Sequence, residues 1–184
     1  MDTFSLLKQV PHQRSFHFIA ALLLAISAFS PAWALDKVDK LATLELANLN
    51  HPVENIYSSA QPTQDAFKGI AESGINVVVN LRPHSELDWN EQALVESLGM
   101  TYINLPISGA TDITTKNAQA LTTLLAELKG KQILVHCSSS NRVGALSSLS
   151  AYQNNGGDID ASVDEGKKWG LTRLETLVRE KLSK

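Results

Sequence analysis

The stretch Ile133-Leu134-Val135-His136-Cys137-Ser138-Ser139-Ser140-Asn141-Arg142-Val143-Gly144 contains the only cysteine of the 184-residue chain. An apolar run leads into Cys137 and a helix-like pattern follows Arg142, so the stretch predicts a strand, a short polar loop and a helix in that order. Successive backbone N–H groups in such a loop, next to a helix N-terminus, form a concave site that attracts anions. The sequence therefore predicts an oxyanion-binding loop at the end of a strand.

Cys137 and Arg142 are the chemically distinctive residues of this loop. The dipoles of the loop and the helix favour the thiolate form of Cys137, which is the nucleophilic form. The planar guanidinium of Arg142 can hold two oxygens of one anion, a geometry that lysine does not provide. The residues between them, which would supply backbone donors, are Ser138, Ser139, Ser140 and Asn141. A buried structural cysteine before a polar turn is the simpler alternative, but the ordered set of features favours a functional loop.

The first 34 residues have the composition of a secretory signal peptide. Lys8 and Arg14 form a basic region, and Phe18–Ile26 is an apolar core. Ala32-Trp33-Ala34 supplies a small-x-small cleavage site. An uncleaved membrane anchor is the weaker alternative, because the apolar run is shorter than the roughly 20 residues of a spanning helix. We therefore expect cleavage after this site and a periplasmic or secreted protein.

The remaining chain, residues 35–184, has the size of one domain with its own core. Without the charged side chains of residues 1–34 it has 14 basic and 18 acidic residues, a formal net charge of −4. This balance excludes the basic surface of a nucleic-acid-binding protein, and we expect no membrane partner after cleavage. A single cysteine also excludes an intramolecular disulfide framework.

Strands and helices are predicted to alternate along this domain. The strands are predicted at residues 53–59, 75–81, 101–105 and 133–136. The helices are predicted at 64–74, with Thr63 as the cap, and at 91–98, 114–128 and 141–153, followed by two short ones. The last helix opens with Thr172-Arg173-Leu174-Glu175, which has the spacing of a capping box. The alternation predicts a single α/β domain with a central, mostly parallel sheet flanked by helices. The Cys137 loop would lie at the carboxyl ends of its strands, where such sheets bind ligands.

Several short motifs, taken together, resemble the cysteine-dependent phosphatases of the dual-specificity type. They are Ile56–Pro62, Val79–Pro83, Gly99–Pro106 and Val135–Ala145, with Gly170–Leu174 also similar. The chain is most similar to the small bacterial branch called beta-lactamase-hydrolase-like, and the order and spacing of the motifs make the resemblance specific. The resemblance implies a protein-tyrosine-phosphatase-like fold.

The same resemblance implies a reaction and its residues. Cys137 would attack the phosphorus of a phosphomonoester, carried by a small molecule or a phosphoprotein, while Arg142 and the loop amides hold the equatorial oxygens. The resulting cysteinyl-phosphate would then be hydrolysed, without a metal or other cofactor. His136 would help to hold the cysteine as thiolate through hydrogen bonding, or else it is a satisfied histidine at the end of a strand.

Three departures from the usual phosphatase pattern leave alternatives open. Only four residues separate Cys137 from Arg142 where five are common, and Val143 replaces a frequent Ser or Thr. Ser140 replaces a common glycine, so it would be strained if that position needs a positive φ. A four-residue spacing also resembles rhodanese-type sulfurtransferases, and a non-catalytic oxyanion-binding domain is the third alternative.

A general acid is needed to protonate the leaving oxygen. Asp112 lies in the loop after the 101–105 strand, at about the interval from Cys137 that the resemblance implies. It could equally cap the helix that begins near Thr114, because aspartate is a favoured N-cap. Glu86 and Asp88 are rival candidates for the acid.

Three further side chains have simpler explanations than catalysis. Arg82 could bring a second positive charge to the site, but it more readily ties its own loop together through a carboxylate. Trp89 and Trp169 are expected to pack in the core rather than to stack on a substrate.

Overall fold

The computed structural model describes residues 40–184, so the predicted signal peptide lies outside the described residues. The strands are β1 (Asn50–Val53), β2 (Ile56–Ser59), β3 (Val77–Asn80), β4 (Thr101–Asn104) and β5 (Ile133–His136). The helices that lie wholly within this part of the chain are α1 (Ala66–Glu72), α2 (Glu91–Ser97), α3 (Thr115–Glu127), α4 (Asn141–Asn154), α5 (Ile159–Lys168) and α6 (Glu175–Leu182). Short 3₁₀ turns occupy His84–Glu86 and Gly109–Asp112. None of the helices in residues 40–184 is long and apolar enough to cross a membrane.

The five strands form one sheet in the order β1-β2-β5-β3-β4. All neighbours are parallel except β1, which runs antiparallel to β2. In the register of the sheet, His136 lies beside Ser59 on one side and Asn80 on the other, and Asn80 lies beside Asn104. The carboxyl ends of four strands therefore meet at one edge, with β5 at the centre. This confirms the predicted α/β domain with a mostly parallel sheet.

Helices cover both faces of the sheet, as the nearly continuous apolar strands require. On one face, the core joins Val135 and Cys137 to side chains of α3 to α6, such as Leu121 and Leu146. On the other face, Leu134 packs with α1 and α2. Because successive side chains of a strand point to opposite faces, β5 sends His136 and Cys137 to opposite sides of the sheet.

Two local predictions were wrong. The predicted strand 53–59 is a hairpin of β1 and β2, because Asn55 at its turn has a φ of 66°, which an asparagine tolerates and which reverses the chain. The predicted capping box at 172–175 does not form, since the Thr172 hydroxyl hydrogen-bonds the side chain of Asn141 instead. Leu174 is the N-cap residue of α6 and provides no side-chain cap.

The two tryptophans outside the predicted signal segment have the expected packing roles. Trp169 is buried, and its indole Nε1 donates to Glu165 at 3.0 Å. Trp89 packs edge-on against Phe67 with ring centroids 5.9 Å apart.

Candidate active site

Residues 137–142, the phosphate loop, connect β5 to α4 at the centre of the carboxyl edge. The backbone N–H of Cys137 donates to the carbonyl of Ser59 at 3.4 Å, and Ser139 forms a β-bridge with Ala60. The side chain of Asn48 also donates to the carbonyl of Ser139 at 3.3 Å. The end of β2 and the segment before β1 therefore hold the first half of the loop.

A cavity of about 190 Å³ opens in front of this loop. Its lining residues come from the loop, from a 3₁₀ turn and from the α5–α6 connection: Ser138, Ser139, Asn141, Arg142, Gly109, Ala110, Arg173 and Leu174. Cys137, the first residue of the loop, has no exposed surface and packs in the core. Within residues 40–184, no carbonyl accepts a hydrogen bond from the backbone N–H groups at positions 138 and 140–142. These donors are available to an anion at the N-terminus of α4.

Ser140 has a φ of 64°, the left-handed conformation that favours glycine. The positive φ on which the predicted strain depends is therefore present. The Ser140 hydroxyl donates to the carbonyl of Trp169 at 2.9 Å, which fixes the loop to the end of α5. A Cβ at the neighbouring Gly170 would lie 2.6 Å from the Cβ of Ser140, so only a glycine fits there.

Asn141 ties the phosphate loop to the connection between α5 and α6. Its side-chain Oδ1 accepts from the backbone N–H groups of Thr172, at 2.9 Å, and Leu174, at 3.2 Å. Its Nδ2 donates to the Thr172 hydroxyl at 2.8 Å. A single buried amide therefore holds the backbone on both sides of Arg173.

The guanidinium of Arg142 turns back to the phosphate loop. Its Nη1 donates to the carbonyl of Ile107 at 2.8 Å, and its Nη2 donates to Oε2 of Glu86 at 2.6 Å. Nη2 also lies 3.4 Å from the hydroxyl of Ser138. Within residues 40–184, no side chain or carbonyl accepts a hydrogen bond from Nε of Arg142. The loops that follow β3 and β4 thus orient the fork and leave part of it open to the cavity.

Glu86 joins two arginines and is therefore a poor candidate for the general acid. Its Oε2 accepts from Arg142 and, at 3.2 Å, from Nε of Arg82. The hydrogen bond from Arg142 is the main cause that lowers the pKa of Glu86 below its usual value. A carboxyl group with a lowered pKa is ionised near neutral pH and has no proton to donate.

Arg82 ties its own loop together, as the sequence favoured. Besides the side chain of Glu86, it hydrogen-bonds the backbone carbonyl of that residue, and its Nη1 donates to Gln61 at 2.8 Å. Asp88, the other rival acid, is exposed and lines a separate cavity with His84 and Trp89.

Asp112 closes the 3₁₀ turn whose first residues line the cavity. Its Oδ2 accepts from the backbone N–H of Ser108 at 2.7 Å. The N-cap of α3 is Thr114, whose hydroxyl accepts from the backbone N–H of Asn117. The alternative role of Asp112 as the cap is therefore wrong, because Thr114 occupies that position. The catalytic role of Asp112 stays a prediction.

His136 is anchored on the opposite face of the sheet from Cys137. Its Nε2 lies 2.8 Å from Oε1 of Glu91, and both side chains are fully buried. Glu91 also accepts from Asn80 at 3.0 Å and from Gln61 at 2.5 Å. The Nδ1 atom of His136 has no hydrogen-bond partner in residues 40–184. Glu91 thus fixes Nε2 of His136, and the role of His136 in holding the thiolate stays a prediction.

The sequence reasoning missed this buried network. Gln61 and Asn80 lie inside motifs that carried the resemblance, which was the available signal. Glu91 opens a predicted helix, where an acidic residue is explained by the helix dipole alone. A partner 45 positions away in the sequence is not visible from local pattern.

Residues 54–154 match the family model described as "Polymorphic toxin system, DSP-PTPase phosphatase". The chain belongs to this DSP-PTPase phosphatase family. It is accordingly a cysteine-dependent phosphatase of the protein-tyrosine and dual-specificity type. The matching model describes a phosphatase rather than a sulfurtransferase, and it spans β2 to α4, including the phosphate loop.

A curated relative supports the bacterial branch that the motifs indicated. The beta-lactamase hydrolase-like protein of Xylella fastidiosa (strain Temecula1) is 35% identical over 102 residues, which are 53% of this chain and 23% of the relative. The chain thus spans about a quarter of the length of the curated relatives it matches.

Solved structures share the fold. A Neisseria meningitidis protein assigned as a phosphatase has a TM-score of 0.61 at 22% identity, with 73% of this chain and 96% of the other covered. A Shewanella putrefaciens protein with the same assignment has a TM-score of 0.59 at 21% identity, with 79% and 96% covered. TpbA of P. aeruginosa, solved in complex with pTyr, has a TM-score of 0.53 at 18% identity, with 74% and 90% covered. These likenesses confirm the protein-tyrosine-phosphatase-like fold.

Proposed function

We propose that this phosphatase hydrolyses phosphomonoesters through a cysteinyl-phosphate intermediate on Cys137. The observation that carries the proposal is the phosphate loop itself. Within residues 40–184 the loop has backbone N–H groups without a carbonyl acceptor, and Arg142 lines the same cavity as the loop residues that follow Cys137. Donors fixed in advance around an anion stabilise charge that develops during a reaction, at no cost of reorganisation.

The reaction proceeds in two displacement steps. The Cys137 thiolate attacks phosphorus, an S–P bond forms, and the P–O bond to the leaving group breaks. Asp112, as the carboxylic acid, gives its proton to the departing oxygen. Its carboxylate then takes a proton from water, which attacks phosphorus and breaks the S–P bond. Inorganic phosphate leaves, and the thiolate and the protonated acid are restored.

The burial of Cys137 requires a small opening of the loop before the first step. Ser138 is the exposed residue of the loop, and its hydroxyl has only a long contact, 3.4 Å, to Arg142. The opening is proposed to occur at Ser138, while the hydrogen bonds of Ser140 and Asn141 stay in place. The cavity of about 190 Å³ accommodates a phosphoryl group and a small part of its substituent.

The reaction is proposed to need no metal. Arg142 and the N–H groups supply the positive potential that a metal would otherwise provide. The substrate is proposed to be a phosphorylated small molecule or a phosphoprotein. The pTyr complex of TpbA makes an aryl phosphate a reasonable first probe.

Export is a separate proposal that rests on the sequence of residues 1–34. The basic region, the apolar core and the Ala32-Trp33-Ala34 site support secretion with cleavage. The expected product is a periplasmic or secreted domain that begins at Leu35. Mass spectrometry of the protein from the exported fraction would check this, and an intact N-terminus would contradict it.

The test of the proposed reaction compares wild type and Cys137→Ser on p-nitrophenyl phosphate, each with and without a chelator. We expect turnover by wild type that the chelator does not reduce, and no turnover by the variant. Activity that survives loss of the thiol would contradict the nucleophile, and activity abolished by the chelator would contradict metal independence. Thiosulfate-to-cyanide transfer by the same samples is expected to be absent.

A further inference from the structure

Arg173 lines the same small cavity as Arg142 and the phosphate loop, although no motif assigned it a role. It is exposed and lies in the connection between α5 and α6. Within residues 40–184, no carboxylate lies within ion-pair distance of Arg173. Arg142, by contrast, is paired with Glu86 at 2.6 Å.

The backbone of Arg173 is held rigidly against the phosphate loop. The Oδ1 of Asn141 accepts from the backbone N–H groups directly before and after Arg173, those of Thr172 and Leu174. Asn141 is itself part of the phosphate loop and is buried. The position of Arg173 is therefore fixed relative to the site that binds the phosphoryl group.

Arg173 brings a second cation to the cavity, beyond the donors that hold the phosphoryl group. The cavity lining includes two arginines and no acidic residue, in a chain whose formal net charge is −3. Arg142 and the loop N–H groups already provide donors for the equatorial oxygens. Arg173 is an additional cation whose attraction is not offset by a neighbouring carboxylate, and an arginine fork suits a carboxylate or a phosphate.

We propose that Arg173 determines substrate specificity by binding a second anionic group, a carboxylate or a phosphate, that lies close to the scissile phosphoester. The inference rests on the proposed function and names its substrate class. Because Arg142 and Arg173 line one cavity of about 190 Å³, the two anionic groups must be a few bonds apart in one small molecule or side chain. Substrates of this class are small phosphomonoesters with a second negative charge.

The experiment uses phenyl phosphate and its derivatives with a carboxylate or a phosphate at the ortho, meta or para ring position. We expect wild type to prefer at least one derivative over phenyl phosphate, with the preference expressed in KM. The Arg173→Gln variant should lower this preference about tenfold, the effect of one charge-assisted contact. The ring position with the largest preference indicates the distance between the two anionic groups. The comparison of the two substituents shows whether the second group is a carboxylate or a phosphate.

Two matched variants control for charge and shape. Lys129→Gln removes an exposed positive charge at the opposite edge of the sheet and should leave the preference unchanged. Arg173→Lys keeps the charge and should restore part of the preference. If Arg173→Gln and Lys129→Gln lower the substrate preference equally, the preference is a general electrostatic effect and the proposed contact is overturned.

A binding measurement separates this inference from the proposed reaction. Phenylphosphonate and its carboxyphenyl analogues cannot be hydrolysed, so calorimetry reports their affinity whether or not turnover occurs. Arg173-dependent binding of the carboxylate analogues without any turnover would contradict the reaction and support the second subsite. Turnover of phenyl phosphate with no discrimination in either assay would overturn the subsite and leave the reaction standing.

Discussion

Two loops meet at the carboxyl edge of the sheet, and they are held in different ways. Distant parts of the chain hold the phosphate loop, residues 137–142, through Ser59, Ile107, Trp169 and Thr172. The 3₁₀ turn at 108–112, which contains the predicted acid, is held by contacts within itself and with the nearby Asn117. Asp112 and Thr111 both hydrogen-bond the backbone of Ser108.

The difference in how the two loops are held suits them to different roles in the reaction. Binding of a developing anion requires donors that do not move, and the long-range contacts supply that rigidity. Delivery of a proton requires a carboxyl group within hydrogen-bond reach of the leaving oxygen, and a locally held turn can adjust to that oxygen without unfolding its neighbours. The Arg142 contact with the carbonyl of Ile107 is a direct link between the two.

The largest effect is expected from Arg142→Lys, which tests the rigid loop. The substitution keeps the charge and loses the fork, so kcat/KM should fall by about a hundredfold or more. Thermal unfolding should stay nearly normal, because a partly exposed ion pair contributes little to stability. Arg179→Lys is the control, since Arg179 also forms ion pairs with carboxylates but lies on α6 away from the cavity. Unimpaired turnover by Arg142→Lys would show that Arg142 does not hold the oxyanion.

The next effect is expected from Asp112→Asn, which tests the locally held loop. The amide can still accept from the N–H of Ser108 but has no acidic proton, so alkyl phosphates should lose about a hundredfold in rate. Nitrophenyl phosphate should lose much less, because its leaving group departs without protonation. The measurement is the rate of wild type and Asp112→Asn on both substrates, with Asp88→Asn as the control variant. Equal losses on the two substrates would remove Asp112 from the role of acid.

A smaller effect is expected at Ser140, where the rigid loop is strained. Ser140→Gly and Ser140→Ala both lose the hydrogen bond to the carbonyl of Trp169. Only glycine relieves the positive φ of 64°, so the glycine variant should be more stable than the alanine variant by about 1 kcal/mol. Urea unfolding of the two proteins measures the difference. Equal stabilities would mean that this backbone conformation carries no strain.

The smallest effect concerns Glu86 and the pH. Its lowered pKa, caused first by the hydrogen bond from Arg142, means that the folded protein keeps the carboxylate to a lower pH than the unfolded chain does. The ion pair therefore stabilises the fold above the usual glutamate pKa of about 4.3, and this contribution is lost as the pH falls through the lower, folded pKa. Wild type should exceed Glu86→Gln in stability by less than about 1 kcal/mol at pH 7 and match it in strong acid. A stability difference between wild type and Glu86→Gln that grows as the pH falls would contradict the expected direction of the pH dependence.

The phosphate loop was predictable from sequence because its parts are contiguous. Cys137, the polar residues and Arg142 lie within one short stretch, and the periodicity before and after it identifies the strand and the helix. The ion pair between Arg82 and Glu86 was also predictable from the sequence, since the two residues are four positions apart.

The contacts that the sequence did not reveal join distant segments. Glu91 lies 45 positions from His136, and Asn141 lies 31 positions from Thr172. Tertiary packing decides such pairings, and it also overrode the local capping signal at 172–175. The β1–β2 hairpin was missed because a single asparagine, Asn55, reverses the chain within an otherwise strand-like run.

The most direct test of the account is a search for the covalent intermediate. Wild type is mixed with p-nitrophenyl phosphate, quenched in acid within the first turnovers and digested for mass spectrometry. The account predicts a phosphoryl group on the peptide that contains Cys137, formed together with a burst of nitrophenol and absent from Cys137→Ser. Turnover with no phosphorylated Cys137 peptide, or with phosphate on another residue, would contradict it.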